Sequence, residues 1–307
     1  LQVTTPFRRT IQRLKPPSMR MLHVTDTFLP KVGGAEIAID QLLRAMNKLG
    51  ADCTLLAQVN RGYSAHVDTP YPLHRFPGAQ SSRWAGWWIR QHIRRLERAT
   101  APFDVLIGHH AFPPGYACVE HARRSNKIAI VYPRGGDIYE VSRFRRKPAA
   151  WRKLTSALTH ANAVICASQA MQELVGEIIA PAPAAHLTQI PNGVNIEELQ
   201  ADTSTSRFAE DSDYQKPFIL ALGRTIARKG FHLLIDAYAQ LASLDRPVPK
   251  LVIAGEGKEL ENLKRQAAPL GNRVLFTGLV QNADKRYLLQ HCRFMAAPSL
   301  EESFGNV

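Results

Sequence analysis

The sequence predicts an α/β protein with two doubly wound units in series. Short apolar runs of strand type alternate with segments of helical periodicity from Met21 onward. The first run is followed by a glycine loop and then by a helix, which is the order of a parallel βαβ unit. A polar, acidic stretch at 201–217 interrupts this alternation, and a second cycle of strands and helices follows it.

The first cycle opens with the strand "MRMLHVTD", the loop "TFLPKVGGAE" and the helix "IAIDQLLRAMNKLG". This helix has apolar residues at helical spacing and ends at Gly50, and "ADCTLLAQ" predicts the next strand. Because alternating strands and helices of this kind form parallel sheets, we expect all these strands to run in one direction. Further strands are predicted near 104–110, 127–133 and 163–168.

The second cycle begins after the polar stretch. We expect an N-terminal arm at 1–20, a first Rossmann-like domain at 21–190 and a second at 191–307. Predicted strands are "FILALGR", "KLVIAGEG", "RVLFTG" and "FMAAPS", and predicted helices are "GFHLLIDAYAQLA", "KELENLKRQAAPLG" and "NADKRYLLQHC".

The composition narrows the classes of protein to which this chain can belong. Hydrophobic residues make up 45% and charged residues 21%, as in soluble globular proteins. No run of eighteen apolar residues predicts a transmembrane helix, and the N-terminus lacks the apolar core of a secretory signal. The four cysteines are far apart in sequence, which favours free, mostly buried thiols in a reducing cytosol and argues against a zinc site.

The positive charge is concentrated in the first part of the chain. Residues 1–200 hold 25 Lys and Arg against 14 Asp and Glu, whereas the whole chain has a net charge of +13. Nucleic acid, an anionic membrane and a phosphorylated substrate are all partners that such an excess suits.

Ligands of such sheets bind at the carboxyl ends of the strands, so the loops that follow the strands hold the candidate site residues. Gly33 and Gly34 start a helix, which suits either a tight turn or an anion beside free N–H groups. In "LGRTIARKG", Arg224 and Lys229 could hold a diphosphate, or form an exposed basic loop.

Three further strand ends carry polar side chains. His109 and His110 follow one strand, and each suits a sugar hydroxyl, proton transfer or a structural role. Carboxylates such as Glu302, in "SLEESFG", are good acceptors for sugar hydroxyls. Arg134 and Asp137, in "PRGGD", form either an acceptor-side loop or a turn.

Seven motifs in order resemble the family-four retaining glycosyltransferases of GT-B fold: "FLPKVGGAE", "RGGD", "IPNGV", "LGRTIARKG", "IAGEGKEL", "FTGLV" and "PSLEESFG". The resemblance implies two Rossmann-like domains facing a cleft. It also implies transfer of a sugar from a nucleotide-sugar donor, with retention at the anomeric carbon and without a metal or other cofactor. The acceptor would be a glycan, a lipid-linked molecule or a small molecule, as in polysaccharide biosynthesis.

The family's roles carry over to individual residues. His109 would contact the transferred sugar, with His110 second to it, and Arg224 and Lys229 would bind the diphosphate. Glu302 would contact the donor sugar, and Arg134 and Asp137 would lie on the acceptor side. Catalysis is thereby expected at His109, Arg224, Lys229 and Glu302, and donor binding additionally at Gly33, Gly34, Gly255, Gly278, Leu279, Val280, Ser303, Phe304 and Gly305.

One departure concerns the end of the chain. The family's second glutamate would come eight residues after Glu302, beyond Val307. We therefore expect an incomplete second domain, and weak or no activity for these 307 residues alone. A nucleotide-sugar epimerase of the same fold and a non-enzymatic basic binding module are alternatives, although no nucleic-acid motif is present.

The segment "SSRWAGWWIRQHIRRLER" predicts an amphipathic helix. Its apolar face suits either the protein core or a membrane interface, and its basic face suits anionic lipid. We expect a cytoplasmic protein that binds the inner face of the cytoplasmic membrane peripherally. The residues expected at the membrane are Arg83, Trp84, Trp87, Arg90 and Arg94.

Overall fold

The structure is a computed structural model that describes residues 19–31, 33–59, 67–78, 82–139, 142–183, 186–244 and 246–305, with the side chains of 82 and 83 excepted. The expected arm at 1–20 therefore lies almost wholly outside the described residues. The chain divides into two units between Gly193 and Val194. Each unit is an α/β domain of its own, as the alternating strand and helix patterns predict.

The first unit contains a seven-stranded parallel sheet in the order β3-β2-β1-β4-β5-β6-β7. The order reverses between β1 and β4, so the carboxyl ends of these neighbours form a topological switch point. The strands are β1 Arg20–Thr25, β2 Asp52–Gln58, β3 Leu73–Phe76, β4 Val105–His109, β5 Ile128–Tyr132, β6 Ala163–Cys166 and β7 Leu187–Gln189.

In the described part of this unit, five helices connect the strands: α1 Gly34–Lys48, α2 Ser82–Ala99, α3 Tyr116–Ser125, α4 Pro148–His160 and α5 Gln169–Ile179. A short π-helical turn, Ala111–Gly115, lies between β4 and α3. Helix α1 buries Ile39 and Leu43 against the sheet, which follows from their spacing of four residues. The larger core of the unit lies on the side of α2 to α5.

The amphipathic pattern of α2 is confirmed on its core side. Ala85, Ile89, Ile93 and Leu96 are all buried. The neighbouring Trp88 is half-buried, and its indole N–H donates to the carbonyl of Pro77 at 2.8 Å. Packing in the core of the first unit therefore accounts for the apolar face of this helix.

The second unit contains a four-stranded parallel sheet in the order β10-β9-β8-β11. Its strands are β8 Phe218–Leu222, β9 Leu251–Ala254, β10 Val274–Gly278 and β11 Cys292–Met295, and its helices are α6 Ile196–Leu199, α7 Ser212–Gln215, α8 Phe231–Ala242, α9 Leu260–Ala267 and α10 Asn282–His291.

Two predicted elements of the second unit are corrected. The helix expected over 258–271 ends at Ala267 and continues as a 3-10 turn, because Pro269 cannot donate to the helical ladder and Gly271 has a φ of 56°. The strand expected at 294–299 begins earlier, at Cys292, and ends at Met295. Pro298 lies in the loop that follows this strand. Proline has no backbone N–H, but a residue in that loop does not need one for the sheet.

All four cysteines are free, and Cys53, Cys118 and Cys166 are buried while Cys292 is partly buried. Burial raises the pKa of each of these thiols, so the thiolate form is disfavoured. The expectation of free, mostly buried thiols is confirmed. Within the described residues, no helix is long and apolar enough to cross a bilayer.

Candidate functional site

The glycine loop of the first unit leads into α1 as predicted. Gly33 is the N-cap and has an extended backbone. A Cβ there would lie 2.4 Å from Oε2 of Glu36, a buried carboxylate in the first turn that also accepts a 2.6 Å hydrogen bond from the Thr27 hydroxyl. A side chain at position 33 would therefore have to displace the carboxylate of Glu36. A negative charge already stabilises this helix start, and it would repel a phosphate placed there. The predicted contact of Gly33 and Gly34 with the donor stays a prediction.

His109 is the last residue of β4 and is fully buried. Its Nδ1 lies 2.7 Å from Nη2 of Arg134, and its Nε2 lies 3.0 Å from Nδ1 of His23, whose ring stacks on it. Burial and the charge of Arg134 lower the pKa of His109 well below its usual value, and the same causes lower the pKa of His23 to about 3. Both imidazoles are therefore neutral at pH 7.

His110 has a different environment. Its backbone has a φ of 78°, an uncommon conformation for a residue with a side chain. Its Nδ1 lies 2.9 Å from Oδ1 of Asp26, just beyond the end of β1. Burial alone would lower the pKa of His110, but the attraction of Asp26 outweighs burial and raises it to about 8. His110 is thus the cationic histidine of this strand end.

Arg134 and Asp137 lie in the loop after β5. The guanidinium of Arg134 lies 3.8 Å from the ring centroid of Tyr132, and burial lowers its pKa to about 10. Asp137 is buried, and its carboxylate accepts the backbone N–H groups of Ala111 at 2.5 Å and Arg134 at 3.1 Å. Asp137 therefore fixes this loop to the turn after β4. Its predicted contact with an acceptor stays a prediction.

In the second unit, Arg224 follows β8 and is exposed. Its backbone carbonyl accepts the N–H of Ile226 at 2.9 Å, but its guanidinium has no hydrogen-bonding or ionic partner among the described residues and is available to a ligand. Lys229 ends a short 3-10 turn five residues later, and only 12% of its side chain is exposed. The two cations lie at the carboxyl end of one strand, as their spacing predicts.

Glycines let the strand-end loops of this unit approach each other closely. A Cβ on Gly255, whose φ is 139°, would lie 1.9 Å from the carbonyl oxygen of Gly223. The backbone N–H of Thr225 donates to the carbonyl of Glu256 at 2.9 Å, which joins the loops after β8 and β9. Gly255 thus allows the close packing that holds the loop of Arg224 in place. This role is independent of any ligand that Gly255 contacts.

The loop after β11 is fixed to the 3-10 turn. The ammonium of Lys229 donates to Oε2 of Glu302, and Nη1 of Arg228 lies 3.7 Å from Oε2 of Glu301. The N–H of Leu300 donates to the carbonyl of Arg228 at 2.9 Å. Burial would raise the pKa of Glu302, but its bond and charge contact with Lys229 lower it. Glu302 is therefore ionised beside the predicted phosphate ligand.

The remaining residues predicted to bind the donor lie in the same unit. Gly278 ends β10 with a φ of 70°, Leu279 is exposed, and Val280 is buried in the core, so its side chain supports the loop. Phe304 is 37% exposed. Ser303 and Gly305 follow Glu302 in the loop after β11.

Helix α2 exposes the aromatic and basic side chains that are expected at a membrane. Trp84 is 59% and Trp87 is 49% exposed, and their rings meet edge to face. Arg94 is exposed, whereas Arg90 is partly buried and burial lowers its pKa. The side chain of Arg83 lies outside the described residues.

Sequence reasoning overlooked several residues of these strand ends. Glu36 ends the motif "FLPKVGGAE", although no role is predicted for it there, and His23 and Asp26 belong to no motif. The contacts of all three become visible only once β1, β4 and α1 are placed together. Asn192, in the "IPNGV" motif, accepts hydrogen bonds from the Tyr132 hydroxyl at 2.9 Å and from Arg134 at 3.5 Å. The order of that motif in the sequence could have indicated Asn192.

Comparison with known proteins identifies the class of protein to which this chain belongs. Residues 32–198 match the family model "Glycosyltransferase Family 4", and residues 202–307 match "Glycosyl transferases group 1". A crystal structure of Anabaena Alr3699/HepE in complex with UDP and glucose has a TM-score of 0.71 at 20% identity, covering 94% of this chain and 76% of that one. WaaG, a glycosyltransferase involved in lipopolysaccharide biosynthesis, has a TM-score of 0.64 at 13% identity, covering 93% and 76%.

Curated relatives agree with the structural likeness. The lipopolysaccharide core biosynthesis glycosyltransferase LpsE of Rhizobium meliloti (strain 1021) is 25% identical over 300 residues, which cover 93% of this chain and 75% of LpsE. The O-antigen chain mannosyltransferase C of Escherichia coli is 26% identical over 301 residues, covering 94% and 75%. The fold is thus that of a GT-B enzyme, and the protein is a glycosyltransferase. The chain belongs to glycosyltransferase family 4.

Proposed function

We propose that this glycosyltransferase takes a sugar from a nucleotide-sugar and transfers it with retention of anomeric configuration. The observation that supports this most is the grouping of Arg224, Lys229 and Glu302 at the strand ends of the second unit. A guanidinium and an ammonium suit a diphosphate, and a carboxylate suits sugar hydroxyls. The structures of Alr3699/HepE with UDP and with UDP-glucose show that a protein of this fold binds such a donor.

The chemistry requires charge stabilisation. As the bond from the sugar to the nucleotide breaks, negative charge grows on the leaving diphosphate. Arg224 and Lys229 would stabilise it without a metal ion or other cofactor. Lys229 is mostly enclosed, so its interaction with a phosphate would be screened less than that of the exposed Arg224.

The acceptor is proposed to be a glycan or a lipid-linked sugar. LpsE acts in lipopolysaccharide core biosynthesis, and another relative, of Xanthomonas oryzae pv. oryzae (strain PXO99A), is a GDP-mannose:cellobiosyl-diphosphopolyprenol alpha-mannosyltransferase. The relatives and the structural neighbours name different donors, so the donor base must be measured.

The donor experiment is a thermal-shift screen of UDP-, GDP- and ADP-sugars. A ligand that binds only the native state raises the melting temperature. Arg224→Ala and Lys229→Ala should each abolish the shift, and Arg246→Ala, on the surface of the same unit, should leave it unchanged. Normal donor binding by both variants would overturn the phosphate assignment.

Product analysis then tests the reaction. Release of free nucleotide that depends on an added acceptor supports transfer, whereas isomerised donor without release indicates an epimerase. The anomeric coupling constant in the NMR spectrum of the product reports retention directly. An inverted product would overturn the proposed stereochemistry and leave the donor assignment intact.

We also propose that the enzyme binds an anionic membrane through α2. The exposed Trp84 and Trp87 beside Arg94 support this, because indole rings favour the interface and arginines favour anionic lipid. Co-sedimentation should show binding to vesicles with phosphatidylglycerol and little binding to neutral phosphatidylcholine vesicles. Trp84→Ser with Trp87→Ser should remove it. Equal binding to both vesicles, or none, would overturn the idea.

A further inference from the structure

A cluster of cations at the start of α4 takes no part in the sites described above. Residues 142–172 contain six Lys and Arg side chains and no Asp or Glu. We call residues 143–153, which hold all six, the basic segment. Its cations are Arg143, Arg145, Arg146, Lys147, Arg152 and Lys153. Like charges at this density repel one another unless an anion neutralises them.

Four cations of the basic segment are exposed and have no ionic partner within the described residues. They are Arg143, Arg146, Lys147 and Arg152. On other helices, exposed cations lie beside carboxylates about one turn away. Arg44 pairs with Asp40 at 2.9 Å, and Lys264 pairs with Glu261 at 2.8 Å. The basic segment therefore keeps positive charge that a bound anion can neutralise.

The loop that begins the basic segment is anchored in the first unit. Phe144 is buried, and its ring meets that of Phe112 edge to face, with the ring centroids 5.3 Å apart. The hydroxyl of Ser142 donates to the carbonyl of Asp137 at 2.7 Å and accepts the N–H of Phe144 at 3.3 Å. The basic segment is thus tied directly to the loop after β5, which carries Arg134 and Asp137.

Two cations of the segment pack on aromatic rings. The guanidinium of Arg145 donates to the carbonyl of Ile138 at 3.2 Å and lies 4.6 Å from the ring centroid of Trp151. The ammonium of Lys153 lies 5.6 Å from the ring centroid of Tyr116 in α3. These contacts fix the backbone that presents the exposed cations. Binding to a backbone that is already ordered costs less entropy.

The position of α4 adds to the positive charge. Because the strands are parallel and α4 follows β5, this helix starts at the carboxyl edge of the sheet. Lys147 is its N-cap and makes no side-chain capping bond, and no carboxylate lies in the first turn. Cations at a helix N-terminus oppose the helix dipole and destabilise the helix. An anion bound to the basic segment would offset this effect.

The cations of the segment suit a phosphate group. Arginine binds phosphate oxygens in pairs, and lysine adds a point charge. The diphosphate of the donor is already expected in the other unit, at Arg224 and Lys229. The loop to which the basic segment is tied, that of Arg134 and Asp137, is expected on the acceptor side. A phosphate bound to the segment would therefore belong to the acceptor.

We propose that the basic segment binds a phosphate or diphosphate group of the acceptor, which is then a sugar phosphate or a sugar linked to a lipid through a diphosphate. The assignment of this anion to the acceptor rests on the proposed glycosyl transfer, whereas the binding site itself does not. The segment binds and orients the acceptor and takes no part in breaking the bond to the donor nucleotide.

The test is an NMR titration of the isotope-labelled chain with inorganic pyrophosphate. It uses the variant Arg224→Ala with Lys229→Ala, so that the predicted phosphate ligands of the second unit do not contribute. We expect the amide signals of residues 143–153 to move. Adding Arg146→Gln with Arg152→Gln should weaken pyrophosphate binding about two- to thirtyfold, since two exposed charge contacts are lost.

The matched control removes the same charge elsewhere on the first unit. Arg95→Gln with Arg98→Gln changes two exposed arginines near the end of α2, which runs to the amino edge of the sheet. This variant should bind pyrophosphate as before. Citrate, whose charge at neutral pH is similar, should bind more weakly than pyrophosphate. Equal binding of citrate, or an equal loss in the control variant, would show only a general electrostatic surface and overturn the site.

Two further probes distinguish an acceptor from a lipid headgroup. Glucosyl farnesyl diphosphate should displace pyrophosphate from the basic segment, and octyl glucoside, which carries no phosphate, should not. If vesicles of phosphatidylglycerol displace pyrophosphate whereas glucosyl farnesyl diphosphate does not, the segment binds membrane lipid and the proposed acceptor is wrong.

The outcomes also separate this inference from the proposed function. If the wild-type chain binds a nucleotide-sugar but pyrophosphate leaves the signals of residues 143–153 unmoved, only the phosphate site is overturned. If pyrophosphate binds the basic segment but the wild-type chain binds no nucleotide-sugar, the site stands. The proposed function then fails, and the assignment of the anion to an acceptor fails with it.

Discussion

Lys229 and Glu302 form an ion pair between the 3-10 turn after β8 and the loop after β11. The two residues are 73 positions apart in the sequence, and the side chain of Lys229 is largely enclosed whereas Glu302 is 32% exposed. One is expected to bind phosphate and the other sugar. A donor must therefore compete with Glu302 for Lys229 and then provide the hydroxyls that satisfy Glu302.

Glu302→Gln should strengthen the binding of a free nucleoside diphosphate, because it removes the carboxylate that neutralises Lys229. Partly exposed ion pairs are worth about 0.2–1 kcal/mol, so we expect a gain of about 1.4- to fivefold. Turnover should fall at the same time, since Gln accepts sugar hydroxyls less strongly. Isothermal titration with UDP, GDP and ADP measures the affinity, and weaker binding by the variant would contradict this competition.

Gly255→Ala should destabilise the second unit by more than about 3 kcal/mol, because both the φ of 139° and the 1.9 Å contact of a Cβ with the Gly223 carbonyl forbid a side chain. Gly176→Ala is the matched control. Gly176 lies in α5 with open space around its Cα, so alanine should stabilise that helix by up to about 1 kcal/mol. Urea unfolding of both variants measures the difference, and a neutral Gly255→Ala would refute the close packing.

Stability of the first unit should fall as the pH drops below 6.5. The folded-state pKa of His23 is lowered from 6.5 to about 3, so its stabilising contribution is complete above pH 6.5 and is lost progressively down to about pH 3. Each pH unit in that window removes about 1.4 kcal/mol per histidine. His109, whose pKa is also lowered, adds to this loss.

Denaturant unfolding at several pH values tests the histidine pair. His23→Gln should reduce the slope of stability against pH by about one proton between pH 4.5 and 6, whereas His160→Gln, on the surface, should leave the slope as in the wild type. An unchanged slope in His23→Gln would show that His23 is not the group that titrates on unfolding.

The fold was largely predictable because most strands are short apolar runs that alternate with segments of helical periodicity. Strands β3 and β7 were not named in advance, since Leu73–Phe76 and Leu187–Gln189 are short and half polar, and pairing with a neighbour defines them. The order of motifs predicts candidate site residues, whose roles stay predictions, but it does not predict their contacts. The contact between His23 and His109 joins residues that are 86 positions apart in the sequence. A local sequence pattern cannot predict a contact over such a separation.

The neighbouring carboxylates show the same limit of sequence reasoning. In "SLEES" the two glutamates look equivalent, and only the folded loop assigns Glu302 to Lys229 and Glu301 to Arg228. Glu301 therefore has a structural task. It anchors the loop one residue before the carboxylate that is expected to meet the donor.

Arg228→Glu should lower the affinity for the donor sugar, because it places two like charges together and loosens the loop that carries Glu302. The pair is partly exposed, with side chains 26% and 24% accessible, so we expect a modest effect of about three- to tenfold, seen in kcat/KM for the nucleotide-sugar. Affinity for the free diphosphate should change less, since Arg224 and Lys229 remain. The swapped double variant Arg228→Glu with Glu301→Arg restores opposite charges and should recover most of the loss. If the double variant is as impaired as the product of the two single variants, Arg228 and Glu301 act independently and the loop is positioned by its backbone hydrogen bond alone.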